Sequence, residues 1–290
     1  MLSDFLLFGK YNLVSITRKA IASLKPLVER YPVLAAVYRN YRDQAELMRS
    51  PIESPWGFKL GGNDSMARGE FEPQETKVVR DLLQEVDVLV NIGANVGYYC
   101  CHALSMGKQV IAFEPMQRNL IFLCQNIKIN GWRDIEIFPL ALSNEPDILN
   151  IYGADTGASL VKGWAGIPES YAALVPASTL DLVLGDRLRG KRVLILMDVE
   201  GAEFAVIKGA SSFLRLDPRP IWMIEIASSE HQPRGVSVNP NFANTFKLML
   251  DAGYKAFTVD DVKREVTISD IEAVQAGDVK RFTTHNFLFR

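Results

Sequence analysis

The sequence has few cysteines, no excess of positive charge and no long apolar run, and each shortage excludes a class of protein. Its three cysteines, Cys100, Cys101 and Cys124, are odd in number and lack the spacing of a zinc site, so we expect reduced, buried thiols. The formal net charge of −2 gives no overall positive field that would favour nucleic acid. No apolar run reaches the length of a membrane span, and the apolar stretch in MLSDFLLFGK is too short for a secretory signal peptide. The sequence therefore predicts a cytoplasmic protein without a nucleic-acid partner or a membrane span.

The first part of the chain differs in pattern from the rest. Up to about residue 50, apolar positions such as Leu24 and Leu27 recur at three- and four-residue steps, which predicts helices. Pro51 and Pro55 then interrupt the pattern. We expect a helical N-terminal extension over residues 1–55 that packs as a cap on a main domain over residues 56–290. A contact with a membrane surface, or between copies in a homo-oligomer, is the alternative for these helices.

From residue 86 onward, strand-like and helical patterns alternate. The strand-like runs are VDVLVNI, QVIAFEP, DIEIFPLAL, RVLILMDV and PIWMIEIA, with helical stretches such as GYYCCHALSM and NLIFLCQNIKIN between several of them. Continuous apolar strands that alternate with helices are typical of a parallel sheet covered on both faces. We therefore predict an α/β fold. It should end with the helix FANTFKLMLDAG and two strands, KAFTVD and HNFLFR, that form an antiparallel edge.

The stretch NIGANVG, residues 91–97, follows the first strong strand and opens a helix. Gly93 and Gly97 allow a tight turn and a close approach of the backbone, and the start of the helix offers free N–H groups. About twenty residues later the next strand ends in AFEP, which places Glu114 where a carboxylate can accept both hydroxyls of a ribose. The alternative is a glycine turn that only shapes the corner. Together the two features predict a nucleoside ligand.

The spacing of the glycines narrows the choice of nucleoside. A dinucleotide site needs G-x-G-x-x-G, but here Asn95 replaces the second glycine and Gly97 comes one position too early for the third. No phosphate loop of the form G-x-x-x-x-G-K-[ST] is present. A ligand with a ribose but no phosphate fits better, and S-adenosylmethionine is such a ligand. A nicotinamide-dependent reductase is the less favoured alternative.

These residues resemble the FkbM-type S-adenosylmethionine-dependent methyltransferases. The matching features, in the family's order, are GEFEPQE (69–75), NIGANVGYY (91–99), AFEP (112–115), LALS (140–143), STLDLVL (178–184), MDVEGAEFAVIKGA (197–210) and WMIEI (222–226). The resemblance implies a class I methyltransferase fold, which is Rossmann-like, with a seven-stranded, mostly parallel sheet. It also implies methylation of a hydroxyl group, because several members methylate hydroxyls on sugars or polyketide-like products.

The sequence departs from the family at two positions. The family often has Asp where Asn91 stands, so an acidic contact to the amino group of the methionine moiety would be replaced by an amide. A His often follows the E-I pair of the fifth strand, whereas Ala227 follows it here. Any role of that His is therefore not carried over.

Cofactor contacts are predicted at the matching positions. We expect the strand end and turn to bind the cofactor, Glu114 to bind its ribose, and residues 141–143 to lie near the adenine. The FEPQE stretch that the family shares supplies two further carboxylates that could close over the cofactor. The predicted cofactor-binding residues are Asn91, Gly93, Asn95, Gly97, Glu114, Ala141, Ser143, Glu72 and Glu75.

The stretch MDVEGAE supplies the candidate catalytic residues Asp198, Glu200 and Glu203. Methyl transfer to a hydroxyl needs a base or a metal that lowers the cost of losing the proton. Asp198 could be that base, or it could hold a divalent cation such as magnesium together with Glu200 or Glu225. Glu203 has the alternative role of stabilising the dipole of the next helix. A protein that keeps the fold and the pocket but lacks catalysis is the alternative reading of the whole set.

Two loops are candidates for the acceptor site. A long insertion over residues 153–177 carries Trp164, whose ring could face a sugar, with Ser159 and Lys162 as polar partners. The alternative is that Trp164 anchors the loop on the core. The second loop, residues 228–241, carries His231 and Arg234. His231 and His285 are also candidate bases, although a loop histidine is commonly only solvated. We expect a small-molecule or glycan acceptor.

Overall fold

The computed structural model describes residues 44–153, 157–260 and 262–290. The chain divides into two compact units, Met1–Arg49 and Ser50–Arg290. Of the first unit, only the last few residues are described, and residues 44–47 are helical. The predicted helical extension and its contact in a homo-oligomer therefore lie almost entirely outside the described residues. All further description concerns the second unit.

The strands of the second unit follow one another with helices between most of them. In chain order they are Ile52–Glu53 (β1), Lys59–Leu60 (β2), Val88–Ile92 (β3), Gln109–Phe113 (β4), Ile135–Phe138 (β5), Ala141–Leu142 (β6), Asp147–Tyr152 (β7), Ala172–Ser178 (β8), Val193–Met197 (β9), Ile221–Glu225 (β10), Ala256–Thr258 (β11) and Asn286–Phe289 (β12). The helices are Asp64–Arg68 (α1), Pro73–Glu85 (α2), Tyr98–Ser105 (α3), Gln117–Ile129 (α4), Leu180–Leu184 (α5), Glu203–Lys208 (α6), Phe242–Asp251 (α7) and Ile268–Gln275 (α8).

Within the described residues, the central sheet has seven strands in the order β11-β12-β10-β9-β3-β4-β5. Its middle strands β3 and β9 are buried along their whole length, and each consists mainly of Val, Ile and Leu. They pair in parallel, with Val90 between Ile111 of β4 and Ile195 of β9. Strands of this composition bury both faces, so helices must cover the sheet on both sides. The predicted α/β fold is confirmed.

The C-terminal end of the sheet carries the antiparallel pairing. The last strand, β12, pairs antiparallel with both β10 and β11 and lies between them. Phe287 and Phe289 of β12 are fully buried against Phe246 of α7. This confirms the seven-stranded, mostly parallel sheet with an antiparallel C-terminal part, which is the strand arrangement of class I methyltransferases. Helix α7 ends just before Gly253, which adopts a φ of +88°.

A second, small sheet includes the last part of the insertion at residues 153–177. The sequence of the insertion shows no clear regular structure, but its last part forms β8, which pairs antiparallel with β7 and parallel with β6. Before β8, residues Trp164–Gly166 and Glu169–Tyr171 form short 3-10 helices. The insertion is therefore tied at its C-terminal end to the strand that precedes it.

The cysteines differ in their exposure to solvent. Cys100 and Cys101 are buried and free, as expected, but Cys124 on α4 is exposed, so the expectation of three buried thiols is wrong for that residue. Burial raises the pKa of the Cys100 thiol to about 12, which keeps it protonated. Among the described residues, no helix combines the length and apolar character that crossing a bilayer requires.

Candidate functional site

The site lies at the carboxyl end of β3, in the middle of the sheet. From β3 the chain continues through β4 to β5 on one side, whereas β9 and β10 lie on the other side. The strand order therefore reverses at β3, and this reversal opens a crevice beyond the strand ends where ligands of α/β sheets bind. The turn NIGANVG occupies this position, between β3 and α3.

The two glycines of the turn allow other parts of the chain to pack closely against it. Gly93 has a φ of +83°, and a Cβ atom there would lie 1.8 Å from the backbone oxygen of Asp198. Gly97 has a φ of +88°, and its Cβ atom would lie 2.3 Å from Cδ1 of Leu123. Gly93 thus allows the ends of β3 and β9 to approach, and Gly97 allows α4 to pack on the start of α3.

Glu114 ties the turn to the end of β4. Its carboxylate accepts two backbone hydrogen bonds, from the N–H of Asn95 and from the N–H of Met116, each at 2.7 Å. Asn95 adopts a φ of +52°, and its side chain accepts a hydrogen bond from the N–H of Val96. Burial raises the pKa of Glu114, and the two backbone N–H groups oppose that shift. The carboxylate that we predict to bind a ribose therefore also fixes the shape of the turn.

One cavity opens beside Glu114, and we call it the Glu114 cavity. Its polar or backbone lining comes from Gly93, Asn95, Glu114, Asp198 and Glu200. Apolar side chains form its walls: Ile92, Phe113, Met116, Leu140, Ala141, Leu142, Ile151 and Leu160. A carboxylate at one end of an apolar slot suits a nucleoside, whose base is flat and apolar and whose sugar carries hydroxyls.

A second cavity adjoins the first, and we call it the Glu72 cavity. It is lined by Glu72, Asn91, Tyr98, Tyr99 and Met223, among others, and shares Gly93, Asn95, Asp198 and Glu200 with the Glu114 cavity. Among the described residues that line the two cavities, none is Lys or Arg. A pyrophosphate would meet the like charges of Asp198 and Glu200 here, whereas a positively charged sulfonium would meet opposite charges. The donor set therefore fits S-adenosylmethionine better than a dinucleotide.

Asp198 occupies the point where the two cavities meet. Asp198 follows directly on β9 and is exposed as a residue, although protein surrounds its carboxyl group. Burial raises the pKa of Asp198 well above its ordinary value, and the nearby carboxylates of Glu225 and Glu200 raise it further. A carboxylate with a raised pKa is a stronger base than one in water, so this position suits a group that removes a proton.

Glu200 is held by the insertion. Its Oε2 accepts a hydrogen bond from the indole N–H of Trp164 at 2.8 Å, and its backbone oxygen accepts one from the hydroxyl of Ser159 at 2.5 Å. Trp164 is only 2% exposed, and its ring covers Gly201, where a Cβ atom would lie 2.6 Å from Cζ3 of the ring. This burial favours the anchoring alternative for Trp164, while the predicted contact with a sugar stays a prediction.

Glu203 and Glu225 are not among the described residues that line the two cavities. Glu203 begins α6 and turns back, so that its Oε1 accepts a hydrogen bond from the N–H of Gly201 at 2.7 Å. Burial raises its pKa to about 7. Its position agrees with a role in closing the helix start. Burial and the carboxylate of Glu72 raise the pKa of Glu225, at the end of β10, to about 8.

Ser143 and Gly97, two of the predicted cofactor-binding residues, contact other parts of the chain. The hydroxyl of Ser143 donates to the side chain of Asn144, and its backbone oxygen packs where a Cβ atom of Gly209 would lie. Gly97 also packs inside the protein, against Leu123. Neither residue lines the Glu114 or the Glu72 cavity among the described residues, whereas Ala141 does line the former. Both positions serve contacts between chain segments, and their predicted contacts with the cofactor stay predictions.

Asn91 lines the Glu72 cavity but is almost fully buried, and its amide donates to Sγ of Cys100 at 3.4 Å. Glu72 lines the same cavity with its Oε2 accepting a hydrogen bond from the hydroxyl of Tyr99 at 2.8 Å. Burial raises the pKa of Glu72, although the Tyr99 hydroxyl opposes the shift. Tyr99 was not singled out from the sequence, although the aromatic pair that opens α3 is the signal that would have indicated it.

The candidate acceptor residues lie farther out. His231 and Arg234 are exposed and line neither cavity among the described residues, and the backbone oxygen of His231 accepts a hydrogen bond from the N–H of Ala165. A third, polar cavity beside the Glu72 cavity contains Glu72, Glu75, Glu225 and His285. Glu75 thus lines this third cavity, and its predicted contact with the cofactor stays a prediction.

The metal prediction finds no geometric support. Within the part of the chain that the structure describes, no group of three or more His, Cys, Asp or Glu side chains is arranged to hold a metal ion. In the predicted pair, the carboxylate of Glu225 raises the pKa of Asp198. The need for a divalent cation thus stays an open prediction that chelation can test.

The comparisons with known proteins agree with this geometry. The family model described as the methyltransferase FkbM domain matches residues 91–256. No curated protein matches the sequence. The FkbM methyltransferase of Methylobacillus flagellatus is a similar solved structure, with 16% identity and a TM-score of 0.43, over 88% of this chain and 60% of that one. The chain thus spans less than two thirds of that protein.

Two other solved structures are similar at low identity. The O-methyltransferase of Bacillus cereus, solved with SAH, has 11% identity and a TM-score of 0.42, over 78% of this chain and 83% of that one. The fibrillarin of Aeropyrum pernix, solved with natively bound S-adenosyl-L-methionine, has 13% identity and a TM-score of 0.38, over 73% of each chain. At these values nothing about the substrate of the present chain follows from either structure.

Proposed function

The chain belongs to the methyltransferase FkbM family, and we propose that it transfers a methyl group from S-adenosylmethionine to a hydroxyl group of a small molecule or of a sugar or glycan unit. A methyltransferase of this family uses S-adenosylmethionine as its cofactor. The observation that carries the finer proposal is the position of the Asp198 carboxylate, where the Glu114 and Glu72 cavities meet. We also propose that residues 56–290 form the methyltransferase domain and that residues 1–55 form a helical extension.

The residues around the two cavities divide the binding of the cofactor between them. The Glu114 carboxylate is available to ribose hydroxyls, because each oxygen has a lone pair beyond the one that a backbone N–H occupies. The apolar walls near Met116 and Leu142 suit the adenine. Asn95 and Gly93 line both cavities, so a ligand that extends from one cavity into the other would contact them.

The chemistry needs a base beside the reacting methyl group. When bound, S-adenosylmethionine supplies a methyl group on a positively charged sulfur. The acceptor oxygen would attack that methyl carbon while the C–S bond breaks and its electron pair stays on the sulfur. Asp198 would take the proton that the hydroxyl loses, because burial and the neighbouring carboxylates favour its protonated form.

The lining of the Glu72 cavity supports a hydroxylated, uncharged acceptor. Glu72, Tyr99 and Asp198 present oxygens that accept or donate hydrogen bonds, and none of the described lining residues is Lys or Arg. A hydroxylated, uncharged acceptor meets these groups favourably, whereas an anionic one would face like charges. This supports a small molecule or a glycan unit as the acceptor.

The test uses methyl-labelled S-adenosylmethionine and a panel of monosaccharides, oligosaccharides and hydroxylated small molecules. The wild type is expected to label at least one hydroxylated compound. Asp198→Asn keeps the shape of the side chain but removes the base, so labelling should fall by about a hundredfold or more. Its affinity for S-adenosylhomocysteine should change little.

The same assay separates the alternatives. Full activity of Asp198→Asn would refute the role of Asp198, and full activity in EDTA would remove a divalent cation from the mechanism. Binding of S-adenosylhomocysteine without labelling of any acceptor, in the wild type, would favour a cofactor-binding protein without catalysis.

A further inference from the structure

Trp164 and Glu200 form a contact whose burial is unusual for a long insertion. The indole of Trp164 is 2% exposed, and its N–H donates to Oε2 of Glu200 at 2.8 Å. The ring lies on Gly201, where even a methyl group would come within 2.6 Å of it. A buried indole N–H needs a partner, and a carboxylate is a strong one. The insertion is therefore locked onto the turn that follows β9.

The backbone of Glu200 is fixed as firmly as its side chain. Glu200 adopts a φ of +53°, in the left-handed region that residues other than glycine rarely occupy. Its backbone oxygen accepts the hydrogen bond from the hydroxyl of Ser159, a second residue of the insertion. An unfavourable backbone conformation persists only when its surroundings hold it in place. Trp164 and Ser159 together provide these surroundings.

The fixed carboxylate faces the ligand space. Glu200 lines both the Glu114 and the Glu72 cavity, next to Asp198 and Gly93. The indole takes one carboxylate oxygen, and among the described residues no hydrogen bond is made to Oε1, which is available to a ligand. S-adenosylmethionine carries an ammonium group at its amino-acid end, and an ammonium group needs acceptors when it is removed from water.

The other candidate acceptors have their own partners or tasks. The amide of Asn91 is buried and donates to Cys100, so it does not supply a negative charge. One oxygen of Glu72 accepts the hydroxyl of Tyr99. Asp198 lies where the two cavities meet, which is the position required of the base.

We propose that Glu200 binds the amino group of S-adenosylmethionine and that Trp164 is a positioning residue that holds the Glu200 carboxylate for this contact. The inference rests on the proposed function, since it requires the methyl donor in these cavities. It gives Glu200 a binding role in place of a catalytic one. It also gives the insertion a role in cofactor affinity that does not require Trp164 to touch any ligand.

Two ligands distinguish this role from a merely structural one. S-adenosylhomocysteine carries the amino group, whereas 5′-methylthioadenosine has the same adenosine and sulfur but lacks the amino-acid end. Calorimetric titration of the full chain with both ligands should show that Glu200→Gln weakens S-adenosylhomocysteine about tenfold to a hundredfold, because a hydrogen bond to a charged group is lost. Binding of 5′-methylthioadenosine should remain as in the wild type.

Trp164→Phe tests the positioning part. It keeps a ring over Gly201 but removes the indole N–H, so it should weaken S-adenosylhomocysteine about threefold to tenfold, again with little effect on 5′-methylthioadenosine. Trp132→Phe is the matched control, because Trp132 lies outside both cavities and contacts Phe58. It should leave both affinities unchanged.

The outcomes separate the two proposals. Equal loss of both ligands in Glu200→Gln, or no loss of either, would overturn the inference while the proposed function stands. Loss in Trp164→Phe without loss in Glu200→Gln would overturn the contact to Glu200. If Trp164→Phe does not fold, Glu200→Gln still decides, because it leaves the ring in place. A wild type that binds neither ligand would overturn the proposed function itself.

Discussion

Replacing Gly93 by alanine tests how closely the ends of β3 and β9 must approach to build the site. The new methyl group would lie 1.8 Å from the backbone oxygen of Asp198, far inside van der Waals contact. A peptide group moves less easily than the end of a flexible side chain, so the two strand ends must separate. Because Asp198 follows β9 directly, the separation also displaces the proposed base.

The cost has two parts that a control variant can separate. A φ of +83° at an alanine costs about 1–2 kcal/mol of folding free energy. Forcing an extra methyl group into a packed region costs typically about 1–3 kcal/mol more, so Gly93→Ala should lose about 2–5 kcal/mol in total. Gly107 has a φ of +71° with nothing within 4 Å of a Cβ atom, so Gly107→Ala pays only the first part, about 1–2 kcal/mol.

Urea denaturation followed by circular dichroism measures both variants against the wild type. We expect Gly93→Ala to be the less stable of the two by about 1–3 kcal/mol, with a weaker affinity for S-adenosylhomocysteine that Gly107→Ala does not share. If Gly93→Ala is no less stable than Gly107→Ala, then the strand ends do not approach as described and the argument for Gly93 is wrong.

Two further predictions concern buried carboxylates. The wild type should bind the 2′-deoxy analogue of S-adenosylhomocysteine about tenfold or more weakly than S-adenosylhomocysteine itself, because a hydrogen bond to Glu114 is lost. Glu114→Ala should bind the two ligands with equal affinity. The comparison of two ligands is needed because the variant also removes the acceptor of two backbone hydrogen bonds. If Glu114→Ala still discriminates between them, the ribose contact is refuted. Burial raises the pKa of Glu203 from 4.5 to about 7, so the folded protein holds this proton more tightly than the unfolded chain, and the free energy of unfolding should fall as the pH rises through that window. Glu203→Gln should flatten the fall in urea denaturation, and an unchanged slope would contradict the assignment.

The central sheet could be predicted because its middle strands are buried on both faces. Such strands read as unbroken apolar runs, as in Val88–Ile92 and Val193–Met197, and the alternation with helices then fixes the class of fold. The small sheet was not predicted from the same kind of pattern. Its strand β8 has the sequence AALVPAS, contains Pro176 and is half exposed, so neither its composition nor its periodicity indicates a strand.

The position of the site was predictable, but the reasons for its glycines were not. The spacing between the turn and Glu114 places both at adjacent ends of parallel strands, and the structure brings them within hydrogen-bond distance. The sequence gives no sign that Gly93 meets Asp198, or that Gly97 meets Leu123, because these partners are distant in the chain. From the local sequence alone, a bound ligand is therefore the favoured explanation for the two glycines.

The directions of side chains could not be predicted from the sequence either. The position of Ser143 near the adenine stays a prediction, but the sequence does not show that its hydroxyl donates to Asn144 or that its backbone packs on Gly209. Trp164 was a candidate for the acceptor site because it lies in a long insertion. Its contact with Glu200 depends on how the insertion folds back over the β9 end, which no local pattern encodes.

A calorimetric titration of the wild-type chain with S-adenosylhomocysteine and, separately, with NADH tests the central claim most directly. The account predicts binding of S-adenosylhomocysteine and none of NADH, because the turn lacks the glycine spacing of a dinucleotide site and the carboxylates of Asp198 and Glu200 would repel a pyrophosphate. Binding of NADH without S-adenosylhomocysteine, or binding of neither, would contradict it.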